Sequence, residues 1–369
     1  MNTGIAHNLR NPFQGPCAVA HAENPGATPP KVEFIVSPGL PEWLQRHSIS
    51  FGFTSYQTGQ LFLVGLMPDG SISLNQQNYS QAMGLCWDRG SLYLASKFQI
   101  WRLENMLRPG QVGNDRFDAV FIPRSAHTTG DLDVHELAID SAGQVVFANT
   151  SFSCLATLDP VHSFRALWRP DFISELAPGD RCHLNGIAML DGAPAYVTTI
   201  AGTDEPGQWR KHRVDGGLLI DVRTGNIVAE GFSMPHSPRT VGDMVYLLDS
   251  GRGYIVEVDP IKGTSKDLAF VPGFMRGLEI YAGLAFVTVS KPRYGTFAGL
   301  PLDAELHARG LAAWCGVMII DLSTGGLVEW FRLEGDITEL FDVTALPSIA
   351  APMSLGVGSE ELLTSITFN

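Results

Sequence analysis

A phrase recurs about every fifty residues along this chain, and it constrains the fold more than any other feature. An apolar, glycine-containing run leads to a tight polar turn and then to a β-rich run. It reads AMGLCWDRGSLYLAS from Ala82, VHELAIDSAGQVVFANT from Val134, LNGIAMLDGAPAYVTTI from Leu184, HSPRTVGDMVYLLDS from His236 and MRGLEIYAGLAFVTVSK from Met275. Aligned on Leu85, Leu137, Ile187, Pro238 and Leu278, the steps are 52, 50, 51 and 40 residues. A period of this size marks a repeat architecture, and each unit here is built of strands.

A second hairpin follows each repeated one, as in CLATLDPVHSFRALW, GGLLIDVRTGNIVAEG, GYIVEVDPIKGTSKDLAF and GVMIIDLSTGGLVEWFRL. The turns RTGN, DPIKG and STGG place Gly where positive φ is needed. Two hairpins make a four-stranded antiparallel sheet, and radial repetition of such sheets is a β-propeller. Residues 77–103, 131–168, 181–231, 232–270 and 271–333 give five blades. FGFTSY, QLFLVGLMPDG and SISLNQQ near the start supply three strands of a sixth, and ITELFDVTALP near the end supplies its inner strand. The expectation is an all-β, six-bladed propeller closed by a C-terminal inner strand that completes the N-terminal blade, with five or seven blades as alternatives. Closure removes the exposed edges an open array would leave.

This divides the chain into a Pro/Gly-rich arm (1–40), the propeller (41–350) and a tail (351–369). The composition agrees, with 45% hydrophobic and 17% charged residues, 39 Gly and 23 Pro; such a chain can bury a large core between many turns. The net charge of −13 argues against a nucleic-acid partner. No apolar run is long enough to cross a membrane. Five cysteines without CxxC spacing and an N-terminus lacking an apolar signal segment point to a reducing, cytoplasmic setting.

The connections divide unevenly. Links between strands one and two, and between three and four, read as tight turns. Two-to-three links are long after Ile200 and from Lys291 to Trp314, and blade-to-blade links are long at 104–130 and 169–181. In an up-and-down sheet these long connections share one face, the face on which the inner strands begin, and function gathers on such loops. At the equivalent early inner-strand position stand Met83, His135, Asn185, His236 and Arg276, with Glu339 or Asp342 from the closing strand and Glu136 and His183 adjacent.

His135, His236 and Glu339 are spaced by 101 and 103 residues, which places them two blades apart around a six-fold ring. Neutral imidazoles and a carboxylate suit a divalent cation (Zn, Fe or Mn), with His183, Glu339 or Asp342 open as third ligand. Arg276 would hold a substrate anion, and Glu136 or Asp342 would serve as base. The plainer alternative is a set of pore histidines bonded to backbone and water. His127, His162, His212 and His307 read as solvated, and the basic run Trp209–Arg213 as a solvated loop able to reach the mouth. Asp140, Asp159, Asp221, Asp259 and Asp321 read as turn formers rather than calcium ligands. No GxSxG elbow, GxGxxG or P-loop occurs in strand context.

The blade pattern over residues 48–347 resembles the six-bladed propellers of the gluconolactonase-like and NHL-repeat superfamily. The phrases HELAID, HLNGIA, SMPHSPR, MRGLEIY and ELFDVTALP also resemble an uncharacterised bacterial domain family of unknown function, and that resemblance implies the propeller but no particular reaction. Within the superfamily, peptidyl-hydroxyglycine lyases hold a metal on three axial histidines beside an arginine. His135, His236 and Arg276 are similar in kind, while Glu339, Asp342 or His183 departs from that pattern as the third ligand. Asn185 and Glu136 are loosely similar to the calcium set of gluconolactonases, and streptogramin lyases, which pair His and Glu near a divalent ion, give a third partial likeness. The expectation is a metal-assisted, lyase- or hydrolase-like enzyme acting on a small molecule or modified peptide. The alternative is a non-catalytic propeller that binds a peptide or protein across its elaborated face.

Overall fold

The computed structural model describes residues 32–297 and 299–368. Six small sheets follow one another as blades of a ring. The first blade runs Leu85–Asp88, Ser91–Ala95, Gln99–Asn105 and Ala119–Thr128 from the axis outward, and the second Val134–Ile139, Val145–Asn149, Cys154–Thr157 and Arg165–Trp168. The third begins at Leu184–Leu190, the fourth at Pro235–Val241 and the fifth at Phe274–Tyr281. The sixth takes its inner strand, Val343–Pro347, from the C-terminal end and its other three, Ile49–Ser55, Gln60–Leu66 and Ile72–Asn78, from the N-terminal end. The closing pair is antiparallel, from Ile49 opposite Pro347 to Phe53 opposite Val343. This is the six-bladed propeller and the mode of closure that the repeat implies.

Aromatic packing backs that closure. Phe53 stacks on Phe62 at 4.9 Å, and Phe51 meets Phe286 and Phe331 of the fifth blade at 6.0 and 6.1 Å. All five rings are fully or almost fully buried; each contributes about 1.5–3 kcal/mol by leaving water. The five turn aspartates each accept backbone N–H groups of their own turn, for example Asp259 from Ile261 and Lys262. The four cysteines among the described residues form no disulfide.

Two readings of the connections need correction. The link 104–130 contains the outer strand Ala119–Thr128, so the first blade is complete and its three-to-four connection, residues 106–118, is long. That connection lies on the face expected to carry short turns alone. Pro123 hid the strand, because proline cannot donate to a ladder; a bulge at Arg124, facing the step from Arg102 to Leu103, brings Leu103 opposite Pro123 and accommodates it. Both ends of the described chain also add strands at outer edges. Val32–Val36 pairs with Leu327–Gly335 of the fifth blade, and Pro352–Ser354 runs parallel to Ala119–Phe121 of the first. Residues 1–31 of the expected arm lie outside the described residues.

Around the axis the inner strands pack by alternation. One residue before the alignment positions stand Gly84, Glu136, Gly186, Ser237 and Gly277, and the frame of the closing strand adds Asp342. A Cβ on Gly84 would meet Glu136 Cα at 3.2 Å, and one on Gly277 would meet Asp342 Cα at 2.6 Å. Glycine in every other blade therefore lets the neighbouring inner strand approach, and the three remaining side chains point into a narrow waist. Asp342 accepts the Leu85 N–H at 2.8 Å and Glu136 accepts the Ile187 N–H at 2.5 Å, so each carboxylate fastens its blade to the next.

Candidate functional site

On the face where inner strands begin, the channel opens into a cavity of about 350 Å³. Met83, His135, His183, His236 and Arg276 all line it, so five of the expected residues converge. The left-handed backbone of His183 (φ 53°) is shared by Gln81, Asp133 and Met234, which occupy the same place before three other inner strands. This conformation belongs to the blade entry and turns the following side chains toward the axis.

The three imidazoles are held alike. His135 Nδ1 lies 2.9 Å from the Asp133 carbonyl and 2.9 Å from Thr150 Oγ1, whose own proton goes to the Leu184 carbonyl. His236 Nδ1 lies 2.8 Å from the Met234 carbonyl, with Ser250 Oγ at 3.1 Å. His183 Nδ1 lies 2.9 Å from the Asp180 carboxylate. A carbonyl or carboxylate accepts only, so Nδ1 carries the proton in each ring and Nε2 keeps a lone pair. None of the three Nε2 atoms has a hydrogen-bond partner among the described residues. Burial lowers the pKa of His135; burial and the Arg276 charge push that of His236 well down. Both are neutral bases at physiological pH.

Arg276 is the most buried of the three arginines that line the cavity, the others being Arg210 and Arg293. Burial draws its pKa down to about 10, against the pull of Glu339. Its hydrogen bonds are all long, at 3.4 Å to Ser290 Oγ, 3.4 Å to the Leu340 carbonyl and 3.3 Å to Glu339. Glu339 is instead gripped by Arg293, at 2.8 and 2.6 Å. Two guanidiniums thus share one carboxylate, and the buried one is poorly satisfied. Such a group favours an incoming anion.

The remaining expected residues lie elsewhere. Asn185 shares the level of His135, but its amide donates to the Pro235 carbonyl at 2.9 Å and accepts from Thr198 Oγ1 at 2.8 Å. Glu136 and Asp342 sit deeper, at the waist, with Glu136 paired to Arg239 at 2.5 Å. Burial raises the pKa of both carboxylates, and that of Glu279 below them to about 7. Glu339 stands at the rim with both oxygens engaged by arginine. The closing-strand residue level with His135 and His236 is Phe341, whose ring packs 5.2 Å from that of His135. Counting the closing strand in the frame of the repeat, Val343 against Leu85, would have found it. No three His, Cys, Asp or Glu side chains are gathered as a cation site among the described residues.

Asp180 and Trp209 complete the mouth. The loop after Ile200 folds a short 3-10 helix, Gln208–His212, over the cavity. Trp209 is buried on His183, ring centres 4.1 Å apart, and donates its indole N–H to Asp180 at 2.8 Å. Within the basic run, Arg210 lines the cavity while Lys211 and His212 stay exposed, as do His162 and His307; His127, expected to be solvated, is half-buried in the outer strand Ala119–Thr128.

Residues 38–355 match the family described as domain of unknown function DUF4915. The chain belongs to that family. No curated protein matches it. Among solved structures, one titled as the nidogen/laminin complex matches over 81% of this chain and 99% of its own, at TM-score 0.50 and 14% identity. A computationally designed protein, Ika8, covers 78% of this chain and 75% of its own at TM-score 0.34 and 10% identity. At such identity the nidogen match bears on the propeller fold alone. No helix of the described residues is long and apolar enough to cross a membrane.

Proposed function

We propose that the axial mouth is a catalytic site for a small anionic molecule, working by proton transfer in a lyase- or hydrolase-like reaction. The observation that carries the reading is the set of three imidazoles with Nδ1 occupied and Nε2 unpartnered, facing one cavity with an under-satisfied Arg276. Arg276 anchors the substrate's anionic group and faces negative charge as it develops. A neutral imidazole takes a proton through Nε2 and returns it to the leaving group, or activates water for attack. Phe341, Phe274 and Trp209 surround the polar groups with apolar surface, which strengthens their interactions by excluding water. The cavity is within the usual size range for small-molecule sites. This reading needs no resident cation. A divalent ion bound through imidazole nitrogen would add Lewis acidity, and elemental analysis of protein purified without chelator tests for it.

The test is thermal stabilisation by a panel of small aliphatic and aromatic carboxylates and phosphates. At least one is expected to raise the melting temperature of the wild-type protein and to lose its effect in Arg276→Met. A panel that leaves the wild type unchanged, or stabilises both proteins equally, overturns the reading.

A further inference from the structure

Resting on the catalytic reading of the mouth, we propose that His183 is the imidazole that moves the proton and that Asp180 is the residue that positions it. Of the three imidazoles, His183 alone has a carboxylate within hydrogen-bond distance of Nδ1; His135 and His236 rest on peptide carbonyls, and the Asp133 carboxylate stands off His135 Nδ1 at 3.7 Å. When Nε2 gains a proton, the ring becomes a cation, and a carboxylate at Nδ1 stabilises that cation and fixes the tautomer far better than a carbonyl does.

The carboxylate is itself held. Asp180 Oδ2 accepts from His183 and from the Trp209 indole, with Arg210 4.0 Å away. Its backbone N–H bonds to the Ser151 carbonyl at 3.1 Å, and the Gly207 N–H bonds back to the carbonyls of Gly179 and Asp180 at 3.0 and 3.1 Å. Asp180 also stands in the left-handed region (φ 50°), outside the position that recurs before the inner strands. A single side chain thus fixes the imidazole and the loop that covers it. Trp209 packs on the ring face and leaves its edge to the cavity.

The step is a proton transfer. A substrate C–H or O–H, or a water, gives its proton to His183 Nε2, and the bonding pair stays on the donor atom as negative charge develops. The imidazolium keeps its Nδ1–H on Asp180. The proton then passes from Nε2 to the leaving group, which restores the neutral ring. Across the cavity Arg276 faces the anion.

Diethyl pyrocarbonate acylates imidazole nitrogen that carries a lone pair, and peptide mass spectrometry resolves the rate at each histidine of the full chain. His183 is expected to react faster than His135 and His236 at neutral pH. Asp180→Asn is expected to slow it by roughly tenfold or more, because an amide no longer secures the reactive tautomer. Trp209→Phe, which keeps the dyad and removes the indole donor together with part of the ring that covers His183, should leave the His183 rate equal or higher. An unexceptional His183 in the wild-type protein, a measurement that depends on no variant, overturns the proposal, as does an unchanged rate in folded Asp180→Asn. Acids that bind the mouth while His183 is no faster than its neighbours defeat the dyad and leave the anion site standing. A reactive, Asp180-dependent His183 in a protein that no acid stabilises supports the dyad and defeats the anion reading.

Discussion

Substituting alanine for Gly277 tests the alternating packing that shapes the channel. The added Cβ would lie 2.6 Å from Asp342 Cα, 2.8 Å from its carbonyl carbon and 2.8 Å from the Phe341 oxygen. These are backbone atoms of the closing strand, so no side chain can swing aside. Relief requires shifting that strand against the bonds that hold it, including Thr288 Oγ1 to the Phe341 carbonyl at 2.8 Å and the Thr54 N–H to the Asp342 carbonyl at 3.0 Å. Overpacking of this kind costs about 1–3 kcal/mol, and the rigid obstacle puts Gly277→Ala near about 3 kcal/mol. At about 2 °C per kcal/mol for a large domain, scanning calorimetry should show a fall of roughly 6 °C. Gly84→Ala, whose nearest obstacle is 3.2 Å away, should cost less, and Gly358→Ala, with nothing within 4 Å, almost nothing. A Gly277→Ala protein that melts with the wild type, or a Gly84→Ala protein that melts below it, refutes the packing argument.

The pKa of Glu279 is raised by burial, against Arg239 and with help from Glu136, to about 7. A carboxyl raised in the folded state gives stability that is complete below its unfolded pKa, near 4, and is lost as pH rises through about 7. The stability of the wild type relative to Glu279→Gln, which cannot ionise, should therefore fall between about pH 4 and pH 7 and level off above about pH 8; a difference in melting temperature that does not change with pH counts against the assignment. Chelator treatment should shift the melting point by no more than about 1 °C, since the imidazoles are held by their own Nδ1 partners. A drop of several degrees, reversed by zinc, iron or manganese, would place a cation at the mouth and show this reading of the imidazoles to be incomplete.

The ring was legible because its determinants are local and repeat. The turn aspartates, the glycines of the hairpins and the apolar inner strands recur in frame, and the unpaired strand sets at the two ends require each other. The outer strand Ala119–Thr128 escaped because Pro123 is a local signal against a strand, which only a bulge in that strand beside it, at Arg124, overrides. The mouth was partly legible: His135, His236 and Arg276 share one frame position, and the frame carries them to one cavity. Asp180 was not, because it lies in a blade-to-blade link and its role depends on a loop folding back from residues 201–216. Phe341 was passed over for its charged neighbours Glu339 and Asp342, although alternation along a strand turns residues either side of it to other levels.

The central claim is that the mouth performs chemistry on a small anion. The most direct measurement is proton NMR of each acid that stabilises the protein, followed over hours with wild type, Arg276→Met and His183→Gln. The account predicts that at least one acid is consumed by the wild type and that both variants slow its conversion by about a hundredfold or more. Acids that bind and are never converted would contradict it and leave a binding propeller in place of an enzyme.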